Sequence, residues 1–297
     1  MKRNSDVACL HSCTSFLFRN HTLGFCNYNN HIGNFMNLAD LALPPILTID
    51  RSIARITLQR PKQANRIEHD DLAVLLGHFT HLSANSAVRA VVLQSEGRYF
   101  SSGYDISSIQ NIALSQPDGI IENPFEPVIE ALERLPQVTI ARLHGGVYGG
   151  SIDLALACDF RVGVAASEMF MPAAALGLLY YPSGIKRFVS RLGVDRTKQL
   201  FLLAEKVYAE EMLRIGFLTD LVDADALDAH VTALANCVSS LAPLALKETK
   251  RAINALARGD FDLDDFKRCE ARLLRSNDLK EGQAAWHEKR PANFSGH

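Results

Sequence analysis

The sequence predicts an α/β fold that ends in a helical subdomain, on three observations. Short β-branched runs alternate with segments of helical periodicity as far as about Asp223. Beyond about Asp223 the apolar residues recur only at helical spacing, punctuated by Pro243 and Gly259. At 297 residues the chain can bury a large core, and one principal domain with an appendage suits that length better than two full domains.

Taken in order, the chain opens unlike the rest. Its first 35 residues are rich in Asn, His, Ser and Cys, and Asp6 is their only acid. A poorly ordered extension over residues 1–45 is the expectation. Translation from Met36 and a targeting peptide carried by Lys2, Arg3 and Arg19 are the alternatives. The principal core is expected over residues 46–240. Ile46–Asp50 and Ile53–Gln59 are β-rich runs joined at Arg51-Ser52, which reads as a hairpin or a pair of neighbouring strands, and Pro61 ends the second. Leu72, Leu75, Leu76, Phe79 and Leu82 recur at helical spacing over 69–82. Val88–Leu93, Val138–Leu143 and Phe160–Val164 read as buried strands, with a helix over 150–158 between the last two. Residues 225–241, 244–257, 261–276 and 279–289 read as helices, and the stretch 241–297 is expected to form the C-terminal subdomain.

Composition narrows the function. A net charge of −2 argues against a nucleic-acid binder. No apolar run reaches the roughly 18 residues of a membrane span. Three of six cysteines lie in the first 26 residues and the others are scattered, a pattern that suits a reducing, cytoplasmic setting better than a disulfide framework. Cys9, His11, Cys13, His21, Cys26 and His31 match no standard zinc spacing, so no metal is expected.

Two glycine-bearing turns follow strands: Gly97–Ile106, and His144–Asp153, which runs directly into a helix. Glycines at such turns let backbone approach a ligand, and a helix N-terminus points N–H groups at it. Two such turns facing each other would surround one oxygen with two N–H donors, the geometry that stabilises an enolate or a tetrahedral oxyanion. Alone, each is only a tight loop. A phosphate loop is disfavoured, because neither Gly-Lys-Ser/Thr nor Gly-x-Gly-x-x-Gly occurs.

The motifs Ile56–Pro61 with Asn65, Val88–Leu93, Phe100–Ile106 and Gly149–Asp159 resemble, in order, those of the crotonase (enoyl-CoA hydratase/isomerase) superfamily. Ala209–Met212, Ile215–Leu218 with Val222, and the ending Trp286–Phe294 extend the resemblance, which covers about residues 46–297. It implies a crotonase-like ββα spiral core, an acyl-CoA thioester substrate, no cofactor beyond the coenzyme A that the substrate carries, and a homotrimer or dimer of trimers. Carried over, the oxyanion donors are the N–H groups of Tyr104 and Gly150, and the first catalytic carboxylate is Asp153. The second, which usually follows the proline of a Pro-Glu pair, falls on Ala173 after Pro172. The backbone around Asn65-Arg66 and at Asp105 falls along the coenzyme A path, with Trp286 and Lys289 closing it; Arg60 and Lys62 are neighbours for its phosphates.

Ala173 leaves three readings. A hydratase/isomerase would use Asp153 alone as acid/base, with Tyr104 and Gly150 holding the carbonyl oxygen. An acyl-CoA decarboxylase or hydrolase would use Tyr180, since Leu176–Gly184 and Asn293–His297 resemble methylmalonyl-CoA decarboxylase; that enzyme type, however, carries His where Tyr104 stands. A CoA-ester-binding protein with little catalysis would have lost its second carboxylate. Asp153 as a dipole-favoured helix residue, and Tyr180 as loop packing, are the bland alternatives. The loop Ser107–Pro127, with Glu122 and Glu126, is expected to shape the acyl pocket.

Overall fold

The hairpin forms where the sequence alternates. Strand β1 (Leu43–Asp50) and strand β2 (Ile53–Gln59) pair antiparallel around the turn at Arg51, whose φ is 53°. In a computed structural model of the chain, which describes residues 43–107 and 122–297, β2 buries every second residue, Ala54, Ile56 and Leu58. β1 starts three residues earlier than the sequence suggests. It takes in Pro44-Pro45 at the cost of a register shift between Leu43 and Ile46, which an edge strand tolerates because its outer N–H groups need no partner.

Helix α1 (His69–Ala84) then faces Leu72, Leu75, Phe79 and Leu82 inward. Strands β3 (Ala90–Ser95), β4 (Val138–Leu143), β6 (Phe160–Val164) and β9 (Asp220–Val222) add in parallel, giving the sheet order β1-β2-β3-β4-β6-β9. The central strands are buried on both faces, which is why they read as continuous apolar runs. On one face pack α1, α2 (Glu126–Glu133), α3 (Gly150–Leu156) and α4 (Pro182–Leu192); on the other Ala90, Val92, Ile140 and Val162 meet Leu227, Val231 and Ala235 of α7 (Leu227–Ser239). A small second sheet, β5 (Val147–Tyr148), β7 (Glu168–Phe170) and β8 (Lys206–Tyr208), lies beside α3, and α6 (Ala209–Arg214) follows it. A short α5 (Val194–Lys198) continues from α4.

Helices α8 (Pro243–Arg258), α9 (Leu263–Leu273) and α10 (Asn277–Glu288) close the chain. The last residues fold back: the Asp278 carboxylate accepts from the amides of Ser295 at 2.8 Å and Gly296 at 3.0 Å. Two helices differ from expectation. α2 occupies the end of the stretch read as a loop, and α4 begins at Pro182 inside the run read as loop through Gly184. In α4, proline at the first helical position suits the start, because its missing N–H would have had no partner there. Residues 108–121 of the expected acyl-pocket loop, and the cysteine-histidine cluster of the first 31 residues, lie outside the described residues. Among the described residues no single helix is long and apolar enough to cross a membrane, and no cluster of three metal-ligating side chains occurs.

Candidate active site

The first turn is held between two neighbours. Ser102 N donates to Ala64 O at 2.8 Å and Ile67 N to Gly103 O at 2.9 Å on one side. On the other, Phe100 N donates to Gly146 O at 3.0 Å and Tyr148 N to Ser101 O at 3.0 Å. Ser101, fully buried, ties the turns further: its Oγ donates to Asn65 O and accepts from Gly103 N, and its carbonyl accepts from Ser151 Oγ. Gly103 adopts φ +94°, and a Cβ there would meet Tyr148 O at 2.6 Å and Gly150 N at 2.9 Å. A Cβ on Gly150 would stand 3.4 Å from Tyr104 N. The amides of Tyr104 and Gly150 are therefore neighbours, and only glycine fits between them. Gly150 opens α3, so its N–H has no acceptor within the helix.

Both residues line a cavity of about 980 Å³, shared with Arg66, Asp105, Ala173 and Tyr180. The Tyr104 ring stacks on Phe125 with centroids 5.3 Å apart, and its hydroxyl lies 3.2 Å from His69 Nδ1. Ala173, the position to which the resemblance assigns the second carboxylate, is on the wall and presents only a methyl group. Glu122, Glu126 and Glu130 also reach the cavity, with Glu126 Oε1 accepting from Ser183 N at 3.2 Å.

From this wall a chain of hydroxyls runs inward. Tyr180 stacks on Tyr181 at 4.4 Å, and its hydroxyl points to that of Tyr181 at 3.5 Å, the outer limit of a hydrogen bond. Tyr181 in turn donates to Asp153 Oδ2. Gly184 makes room for both rings, since a Cβ there would meet Tyr180 Cε1 at 2.5 Å and Tyr181 Cε2 at 2.8 Å. Burial, then the Asp153 charge, pushes both phenols well above their usual range, so they stay protonated.

Asp153 sits one layer deeper than the sequence suggests. It has no exposed surface and is absent from the cavity wall. Arg187 Nη1 lies 2.7 Å from both of its oxygens, and Arg187 Nε lies 3.1 Å from Glu133 Oε1. Burial pushes the Asp153 carboxyl up, against the pull of Arg187 and the Tyr181 hydroxyl. For Arg187, burial acts downward, yet Asp153 and Glu133 outweigh it and keep the guanidinium above its ordinary range.

The other expected residues divide. Arg66 and Asp105 line the cavity, with Arg66 Nη2 paired to Glu68 at 2.6 Å. The Asn65 side chain is anchored inward, where Nδ2 donates to Glu96 O at 2.7 Å and Tyr99 O at 2.8 Å, and its backbone adopts φ 51°. Arg60 is paired with the buried Asp71. Trp286 and Lys289 do not reach this cavity. Trp286, 84% exposed, borders a separate cavity of about 570 Å³ among α8, α9 and α10, and Lys289 caps α10 with φ 52°. Arg187 and Glu133 went unread. Tyr181-Pro182 is a helix-start signal that would have put Arg187 on an inner helix face beside Gly184, Phe188 and Leu192.

Residues 48–297 match the enoyl-CoA hydratase/isomerase family model. The crotonyl-CoA hydratase of Syntrophomonas wolfei is 30% identical over 84% of this chain and 96% of its own length, and the short-chain-enoyl-CoA hydratase of Clostridium acetobutylicum is 31% identical over 82% and 95%. The methylmalonyl-CoA decarboxylase of Escherichia coli is 26% identical over 71% and 82%. Among solved structures, a putative enoyl-CoA hydratase from Streptomyces coelicolor superposes with a TM-score of 0.76 at 28% identity, covering 90% of this chain and 100% of that one. The chain belongs to the enoyl-CoA hydratase/isomerase family, the crotonase superfamily, and is an acyl-CoA enzyme of that kind.

Proposed function

We propose that the chain forms a thioester enolate from an enoyl-CoA, with the carbonyl oxygen held between the N–H groups of Tyr104 and Gly150. The observation that carries this reading is the hydroxyl chain Tyr180–Tyr181–Asp153 beside those two amides. A proton leaving the substrate passes to the Tyr180 oxygen as Tyr180 gives its own to Tyr181, and Tyr181 gives its own to Asp153. Return along the same path reprotonates the enolate. Asp153 thus keeps an acid/base role, exerted through phenols rather than by contact. One relay suits double-bond migration, in which the proton taken from one carbon is redelivered to another; hydration would also need a group to activate water. Arg66 and Asp105 fit the coenzyme A path, and no further cofactor is required. Trp286 and Lys289 could cover coenzyme A only from a neighbouring copy, as a cytoplasmic homotrimer or dimer of trimers would allow.

A second reading, decarboxylation, is favoured by the methyl wall at Ala173, since loss of carbon dioxide yields the enolate without a base. Glu122, Glu126 and Glu130 oppose it by repelling a carboxylated acyl group. The test compares wild type and Asp153→Asn on crotonyl-CoA, on methylmalonyl-CoA, and for deuterium exchange at the α-carbon of butanoyl-CoA. Exchange that falls at least about 100-fold in Asp153→Asn supports the relay. Unchanged exchange removes Asp153 from the mechanism. Turnover confined to methylmalonyl-CoA selects decarboxylation, and binding of all three without turnover selects a CoA-ester-binding role.

A further inference from the structure

A carboxyl that must take up and return a proton cannot be held too firmly as an anion. A guanidinium within about 4–6 Å lowers a carboxyl pKa by roughly 1–3 units, and Arg187 is in direct contact with both Asp153 oxygens. Arg187 is shared, however. Its Nε donates to Glu133 Oε1 at 3.1 Å, and Glu133, 4% exposed, lies at the last residue of α2. Glu133 is held from two further sides, by Arg191 Nη2 at 3.1 Å and Arg258 Nη1 at 3.5 Å, while its carbonyl accepts from Asn254 Nδ2 at 3.2 Å. The charged and titratable groups facing Asp153 are thus Arg187, Tyr180 and Tyr181 from the α4 side and Glu133 from α2.

We infer that Glu133 is a positioning residue for the proton relay: it fixes the Arg187 guanidinium against Asp153 and draws on its charge, so that Asp153 stays basic enough to accept the Tyr181 proton. The inference rests on the relay reading above. Two features support it over simple stapling of helices. Glu133 engages Arg187 through Nε, leaving Nη1 for Asp153, so one guanidinium serves two carboxylates in a fixed orientation. Arg187 and then Arg191 keep Glu133 ionised despite its burial, and Arg258 stands 3.5 Å from its other oxygen.

The test follows Asp153 itself. The full-length protein is labelled with carbon-13 at aspartate carboxyls, the Asp153 resonance is assigned by its loss in Asp153→Asn, and its titration is compared across variants. Glu133→Gln should move the Asp153 midpoint down by about one pH unit, because Arg187 then serves Asp153 alone. The acidic limb of kcat for butanoyl-CoA exchange should move with it. Glu133→Asp should restore part of both shifts. Arg258→Met removes a cation from the partly exposed end of the network and should move the midpoint the opposite way, upward; if Glu133→Gln does not fold, this variant decides. A midpoint that stays in place in each folded variant overturns the inference. A midpoint that moves while the kcat limb does not leaves Glu133 in control of Asp153 and defeats the relay reading instead.

Discussion

The amide nitrogen of Gly150 stands so close to Gly103 that a Cβ on Gly103 would lie 2.9 Å from it. Two turns about 47 residues apart in sequence are thereby set at backbone contact.

Gly103→Ala therefore strikes the oxyanion geometry directly. The new methyl group would press on Tyr148 O at 2.6 Å, in a backbone region that L-residues rarely adopt. Thioester turnover should fall by about 10²–10³-fold, the usual effect of losing one oxyanion donor, with a stability loss of about 1–3 kcal/mol. Steady-state kinetics beside a urea melt reads both; wild-type kcat in a folded variant would refute the assignment.

Tyr181→Phe and Tyr180→Phe separate structure from relay. Tyr181 is buried and its hydroxyl satisfies Asp153, so its loss should lower stability by about 1–3 kcal/mol as well as slowing exchange by about 10²–10⁴-fold. Tyr180 is half-buried and should show the rate effect with little change in melting. Equal exchange rates in Tyr180→Phe and wild type would break the relay at its first member.

Ala173→Glu restores a carboxylate to the cavity wall. It gives water a second base, and crotonyl-CoA hydration should rise by at least about 10-fold. The comparison is the initial rate at saturating crotonyl-CoA, and no increase in a folded variant counts against Ala173 as the missing position.

Acid sensitivity should trace partly to Glu133. Burial works against its charge, but Arg187 and Arg191 hold it below the ordinary value of 4.5. A group depressed in the folded state stabilises above its unfolded value, and that contribution is lost as pH falls through the folded value. Asp153, shifted upward, acts with the opposite sign: its contribution is present below 3.8 and lost as pH rises. Urea melts from pH 7 down to 3 should therefore show a shallower acid decline in Glu133→Gln than in wild type, and parallel declines would show that Glu133 is not responsible.

Sequence periodicity gave the frame. β2, β4 and β6 fall where alternation and β-branched runs put them, because burial of one or both sheet faces writes itself into the local pattern. The two amides were legible too, as glycines at strand-to-helix turns. The layer behind them was not. Arg187 binds partners 34 and 54 residues away, and its burial becomes meaningful only once Asp153 and Glu133 converge on it. α2 is eight residues long and carries Pro127 near its start, too short for periodicity to show. Tyr180-Tyr181-Pro182 looked like loop punctuation, and only the fold reveals the start of α4 there.

Helix α8 also dictates when the site can mature during synthesis. Lys250 reaches Asp159 at 2.7 Å and Gln137 O at 2.8 Å, while Asn254 and Arg258 reach Glu133. A nascent chain that has made every strand of the sheet still lacks Lys250 and Arg258, and the carboxylates of Asp159 and Glu133 must wait for residues 250–258 to leave the ribosome. The sheet can assemble early, but its reactive end is finished late, from the C-terminal side.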